Sequence, residues 1–211
     1  MTPRRLLLAT RNQHKVQEIS DLLSGLDIDL SSLADLGVAD LPGEDDVEIY
    51  GTFEQNALAK ARFYRIHTGW DVIADDSGLC VDALSGGPGV RSRRFAADHG
   101  RTGPDQDEAN NDCLLDLLAD AGEGDRGAHY RCAVALVSSE RTLIVNGRVD
   151  GQITSARQGR GGFGYDPLFL LPARGRTFGE LPAEVKAACS HRAEAIRSLR
   201  RWLDTRPMFE V

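Results

Sequence analysis

The sequence predicts an α/β fold, and three observations carry the prediction. A short apolar run, Leu6-Leu7-Leu8-Ala9, is followed by a polar loop and then by a segment with helical periodicity. A second helical segment feeds straight into another apolar run at residues 70–74. Three β-rich runs then follow at 130–137, 142–145 and 148–154, separated by turns short enough for an antiparallel meander.

In chain order, Leu6 to Ala9 reads as a buried strand. The segment after it keeps Val16, Ile19, Leu22 and Leu23 on one helical face up to Gly25. Asp27 to Leu30 is a candidate second strand, and the acidic, turn-rich stretch at 39–51 reads as a loop or lid. Thr52-Phe53-Glu54-Gln55 has the form of a capping box, with Thr52 capping and Gln55 reaching back. The helix it opens runs to about Thr68, buries Phe53, Ala57, Ala61 and Tyr64, and stops at Gly69. Trp70 to Ala74 is a strand that ends in a polar corner, Asp75-Asp76-Ser77-Gly78, with Leu79 to Leu84 as its hairpin partner. Residues 85–89 form a turn, and Ala109 to Ala121 a helix with Cys113, Leu114, Leu117 and Leu118 inward. After the meander, a glycine-rich loop leads into a strand at Pro167 to Leu171, and the last helix, from Ser190, turns Ile196, Leu199 and Leu203 inward. No repeat or low-complexity linker marks a boundary, so residues 1–211 read as a single domain.

The chain is 41% hydrophobic and carries a net charge of -7, enough apolar content for a core and the wrong sign for a surface that binds nucleic acid polymers. A phosphate site must therefore be local or aided by a metal. Cys80, Cys113, Cys132 and Cys189 lie far apart without zinc spacing and read as reduced thiols. No run is long enough to span a membrane, and a cytoplasmic location is expected. Two G-x-G-x-x-G matches, at 122–127 and 159–164, lack the strand-before, helix-after setting of a dinucleotide fingerprint.

Four constellations carry chemistry. Thr10-Arg11-Asn12-Gln13-His14-Lys15, between strand and helix, offers amides, a hydroxyl and an ammonium to phosphate oxygens; it reads equally as a polar turn with Asn12 as N-cap. Asp75-Asp76-Ser77-Gly78 offers hard carboxylate oxygens suited to Mg²⁺, or an Asx turn ending a strand. Neighbouring strand residues point to opposite sides, so one of the two aspartates can face a site and the other can orient groups around it. Gly161-Gly162-Phe163-Gly164-Tyr165-Asp166 offers close backbone approach, a stacking ring and an acceptor, or an ordinary loop around a core aromatic. Lys186 with Ser190-His191-Arg192 offers cations for a phosphate or donors for a purine carbonyl, or a solvated helix end.

Taken in order, TRNQHK, TFEQNALAKA, IADDSGLCVDAL, PGVRSRRFA, GGFGYDPLF and SHRAEA closely resemble the inosine/xanthosine triphosphate pyrophosphatase (HAM1-like) family, from about Leu6 to Trp202. The resemblance implies an elongated α/β fold around a mixed, largely antiparallel central sheet flanked by helices, with two lobes and a cleft between them, and a homodimer. It implies hydrolysis of the purine nucleoside triphosphates ITP, dITP and XTP to monophosphate and pyrophosphate, with Mg²⁺ as cofactor. Carried over by position, Thr10, Arg11, Asn12, Gln13, His14, Lys15 and Lys186 would bind the triphosphate. Asp76 would be general base and metal ligand, and Ser77 would touch substrate. Phe163, Gly164, Tyr165 and Asp166 would hold base and ribose, and His191 and Arg192 the purine edge. The second metal ligand matches best at Glu48, with Glu44, Asp45 and Asp46 as neighbouring acids; Gln55 stands where many relatives have glutamate. A Maf-like pyrophosphatase would open with a serine- and arginine-rich loop in place of Asn12 and Lys15. A non-catalytic nucleotide sensor could dispense with the acidic pair.

Overall fold

A computed structural model describes residues 3–205. Its sheet has seven strands, β1 (Arg4–Leu8), β2 (Ile28–Ser32), β3 (Asp71–Val81), β4 (Gly127–Val137), β5 (Thr142–Ile153), β6 (Phe169–Leu171) and β7 (Arg176–Thr177), in the order β2-β1-β3-β4-β5-β6-β7. The sheet is mixed. β1 runs parallel to β2 and to β3, whereas β6 runs antiparallel to β5 and to β7. Six α-helices accompany it: α1 (Gln13–Leu23), α2 (Phe53–Thr68), α3 (Phe95–Asp98), α4 (Gln106–Leu117), α5 (Ala183–Cys189) and α6 (His191–Asp204).

The chain folds as two compact units, each with its own core. One comprises residues up to Asp76, Cys132–Gly147 and Arg192 onward; the other comprises Ser77–Arg131 and Arg148–His191. In the first, Leu6, Leu8 and Ile73 meet Ile19 and Leu23 of α1 and Ile196 and Leu199 of α6. That buries the apolar stripes predicted for both helices, with Leu203 packed at the margin. In the second, Leu79, Val81, Leu114, Tyr130, Phe169 and Phe178 form the centre.

Local chemistry explains the helix ends. Asn12 caps α1, its side-chain oxygen accepting from the amides of His14 (2.9 Å) and Lys15 (3.2 Å). Thr52 caps α2 by accepting from the Gln55 amide, and Gly69 closes that helix with φ 72°, the left-handed turn glycine adopts without strain. The capping box is half made: the Gln55 side chain accepts from the Thr52 hydroxyl rather than from its backbone N–H.

Several sequence expectations are corrected. Asp75-Asp76-Ser77-Gly78 is no corner; β3 runs unbroken from Asp71 to Val81, because both aspartates find partners inside the fold. The two runs at 142–145 and 148–154 are one strand, β5, which runs through the Asn146-Gly147 turn signal as the sheet neighbour of β4. The helix expected at 109–121 is α4, which starts earlier because Asp105 caps it through the amides of Asp107 and Glu108. It ends at Leu117, whose side chain is 43% exposed rather than inward. The strand expected at Pro167 to Leu171 is β6, which begins at Phe169, and β7 and the short helices α3 and α5 escaped the periodicity reading.

Candidate active site

In the first unit, α1, α2, β3 and α6 contribute to one charged cluster. Asp75 is 0% exposed, and its Oδ2 accepts from Lys15 Nζ at 3.0 Å and from Arg192 Nε and Nη2 at 3.3 Å each. Arg192, 1% exposed, also pairs with Glu18 of α1. Burial alone would raise the Asp75 carboxyl, but Lys15, Arg192 and Lys60 outweigh it and hold it far below the usual carboxylate range.

Asp76, next along β3, behaves in the opposite way. Its Oδ2 accepts from Asn56 Nδ2 of α2 at 2.9 Å. Burial raises its carboxyl above the ordinary 3.8, Lys15 and Lys60 oppose that, and the Glu48 carboxylate reinforces it. The two adjacent carboxyls are thus shifted in opposite directions, Asp75 down beside its cations and Asp76 up by burial.

Lys60 and Glu48 complete the cluster as an ion pair. Burial lowers the Lys60 ammonium, but Glu48, Asp75 and Asp76 together raise it above its usual value. The Glu48 carboxyl, raised by burial, is lowered more strongly by Lys60 and Lys15. Sequence reasoning missed Lys60, Asn56 and Glu18. The available signal was helical spacing: Asn56 and Lys60 stand four residues apart on the α2 face that buries Phe53, Ala57 and Tyr64.

The remaining residues of the first loop divide. The Thr10 hydroxyl accepts from the Asn12 amide at 3.2 Å, and Gln13 and His14 are exposed. Arg11 turns to the acidic segment, donating to both carboxylate oxygens of Glu44 (2.7 and 2.8 Å) and to the carbonyls of Val38 and Ala39. Among the described residues no group of three or more His, Cys, Asp or Glu side chains is assembled to hold a metal. That rules out an all-protein cage there, yet one or two carboxylates are what Mg²⁺ takes when phosphate oxygens and water supply its other positions. Glu48 and Asp76 fit that requirement.

In the second unit, the glycine-rich loop organises around Asp166, which is buried. Its Oδ2 accepts from the Phe163 amide at 2.8 Å and from Lys186 Nζ at 2.5 Å. The Lys186 ammonium also lies 4.4 Å from the centre of the Phe163 ring. Gly162 has φ 75°, and a Cβ there would overlap the Asp166 carboxylate, so glycine is required twice over. From α4, Asp107 accepts from the Gly164 amide (2.7 Å) and Asn111 Nδ2 donates to its carbonyl (3.0 Å), holding both sides of that residue. Tyr165 points into the core; its hydroxyl donates to the Ser92 carbonyl at 2.8 Å, and burial pushes its pKa well up. His191 is buried with its ring stacked on Tyr130, 4.6 Å between centres and 8° between planes. Ser77 is half-buried on β3. Asp107 and Asn111 were invisible to motif reading, because their role depends on α4 packing beside a loop more than fifty positions further along.

Residues 6–202 match the model of the Ham1 family. A dITP/XTP pyrophosphatase of Streptomyces coelicolor is 45% identical over 199 residues, covering 92% of this chain and 94% of the relative. Its counterpart in Ralstonia nicotianae is 44% identical over 199 residues, covering 93% and 94%. Among solved structures, a HAM1 protein from Coxiella burnetii matches with a TM-score of 0.84 at 35% identity, covering 96% of this chain and all of that one. A nucleoside-triphosphatase / dITP/XTP pyrophosphatase from Mycobacterium abscessus matches at 0.71 and 43% identity, covering 92% and 98%.

Proposed function

The chain belongs to the Ham1 family, and from that premise we propose that it hydrolyses deaminated purine nucleoside triphosphates, ITP, dITP and XTP, to the monophosphate and pyrophosphate. The observation that carries the reading is how differently the two adjacent aspartates are held: Asp75 is paired with Lys15 and Arg192, whereas Asp76 accepts from the uncharged Asn56 side chain.

The Thr10–Lys15 loop and Lys186 serve the triphosphate, the loop through amide donors at the start of α1 and through the Lys15 ammonium. Asp76 accepts a proton from the attacking water as the new oxygen–phosphorus bond forms, and the bond to the departing pyrophosphate breaks. Lys15, Arg192 and Lys60 keep Asp75 ionised, so the proton goes to Asp76 and not to its neighbour. A magnesium ion carried in on the triphosphate and held by Asp76 and Glu48 would supply charge neutralisation at the phosphate oxygens. Phe163 offers a stacking face to the base, and Ser77, Gly164, Tyr165 and Asp166 shape the base and ribose site, Tyr165 from beneath through its bond to Ser92. His191, next in sequence to Arg192, whose guanidinium is held by Asp75 and Glu18, favours an acceptor at the purine 6-position; adenine, which carries an amine there, leaves a donor unmatched. We also assign the enzyme to the cytoplasm as a homodimer. Among the described residues no helix is long and apolar enough to cross a membrane.

The test is purified protein with Mg²⁺ and a panel of nucleoside triphosphates, with pyrophosphate and orthophosphate assayed separately. Pyrophosphate release favouring ITP, dITP and XTP is expected. Orthophosphate alone would mean a phosphatase, preference for other bases a Maf-like enzyme, and binding without turnover a sensor. Sedimentation of the same sample tests the dimer.

A further inference from the structure

The acidic segment between β2 and α2 is fastened at two points. Near its start, Arg11 grips the carbonyls of Val38 and Ala39 and the Glu44 carboxylate. At its end, the fastening is Asn56, buried on α2. The Tyr50 amide donates to Asn56 Oδ1 at 2.9 Å, and Asn56 Nδ2 donates to the Tyr50 carbonyl at 3.2 Å and to Asp76 Oδ2 at 2.9 Å. A carboxamide has two N–H donors. Here one is committed to the backbone of the acidic segment and the other to the aspartate.

Tyr50 lies two residues beyond Glu48, and Lys60, one helical turn from Asn56, pairs with the Glu48 carboxylate. One face of α2 therefore grips this stretch twice, by the side chain at Glu48 and by the backbone at Tyr50. Asn56 also extends the grip to Asp76 by a hydrogen bond. The rest of that face is apolar, with Phe53, Ala57, Ala61 and Tyr64 buried, so a polar residue there is not needed to fill the core. A fully satisfied buried polar group specifies geometry instead.

We propose that Asn56 is a positioning residue that sets Glu48 and Asp76 in register with each other by locking the Tyr50 backbone to the Asp76 carboxylate. Its link to turnover rests on the proposed function, but the locking itself does not. The test compares Asn56→Leu, Asn56→Asp and a control, Thr52→Ala, which weakens the cap of the same helix without touching Tyr50 or Asp76. Hydrogen–deuterium exchange is measured on nucleotide- and metal-free protein, and steady-state pyrophosphate release on dITP with Mg²⁺.

For Asn56→Leu, peptides covering 47–51 exchange faster while those covering β1 and α6 are unchanged. Its kcat falls roughly 10- to 100-fold, the scale for groups that orient ligating residues, with KM little altered. Asn56→Asp keeps the acceptor for the Tyr50 amide but sets a carboxylate against Asp76. It retains protection at 47–51 and still loses kcat. Unchanged exchange in Asn56→Leu, or a fall in kcat no larger than in Thr52→Ala, would overturn the proposal. Should Asn56→Leu fail to fold, full activity in Asn56→Asp would overturn it equally. If the unmodified protein releases no pyrophosphate, the functional reading fails on its own, and the exchange measurement still decides whether Asn56 locks the segment.

Discussion

Asp75 and Asp166 are both buried carboxylates beside a lysine, at 3.0 and 2.5 Å, yet they are held by different means. The partners of Asp75 are Lys15 and Arg192, side chains that arrive from α1 and α6, 60 and 117 positions away in sequence. Asp166 takes the amide of Phe163 three residues away and Lys186 twenty residues on, inside a loop whose glycines allow the close approach. The first arrangement exists only when its whole unit is folded, and so ties activity to global stability. The second is organised by a local stretch of chain, and so can be disturbed without unfolding what surrounds it.

The largest expected effect lies in the first region. Asp76→Asn keeps the shape and an acceptor for Asn56 but removes the proposed base, and kcat should fall roughly 10²- to 10⁴-fold with the melting temperature nearly unchanged. Turnover close to that of the unmodified protein would remove Asp76 from the role. Next, Asp75→Ala leaves Lys15 and Arg192 buried without their shared anion and should cost about 3–5 kcal/mol in urea unfolding. A loss within the range of an ordinary surface change would mean that the cluster does not depend on its central carboxylate.

Smaller effects are expected from the second region. Gly162→Ala forces a side chain into a left-handed backbone and against Asp166, costing roughly 1–3 kcal/mol. The kinetic outcome should be a raised KM for dITP with kcat largely kept; an equal fall in kcat would erase the contrast between the regions. The smallest effect concerns the rim of the first. Arg11 lowers the Glu44 carboxyl from 4.5 to about 2 by donating a two-pronged hydrogen bond to it. A depressed carboxyl contributes its stability above the unfolded value of 4.5 and loses it as pH falls toward 2. Limited proteolysis in the 38–48 segment should therefore rise over that window in the unmodified protein. In Glu44→Gln it should be high and flat; a pH-dependent rise that survives in Glu44→Gln would assign the effect elsewhere.

Much of the scaffold could be read without coordinates, because its signals are local. The three-leucine strand, the Asn12 turn into α1, the Thr52 cap, the Gly69 stop and the apolar stripe of α6 each depend on residues within a few positions. The misreadings share one cause. Asp75-Asp76-Ser77-Gly78 looks like a turn because two charges and a glycine are costly inside a strand, and nothing nearby neutralises them. The compensation comes from Lys15, Asn56 and Arg192. Likewise Asn146-Gly147 carries a hairpin signal, yet β5 runs through it as the sheet neighbour of β4.

By itself, then, the sequence determined the α/β class, the main helices with their caps, and the ordered motifs from TRNQHK to SHRAEA that mark the family. Hydrogen bonds and apolar spacing within one or two turns of chain are written in consecutive residues. The tertiary structure alone decided which of two adjacent aspartates pairs with Lys15 and Arg192 and which accepts from Asn56, that Arg11 turns to Glu44, and that Lys60 joins the charged cluster. Charge burial is settled by whatever stands within a few ångströms in space, and those neighbours come from parts of the chain that no local pattern connects.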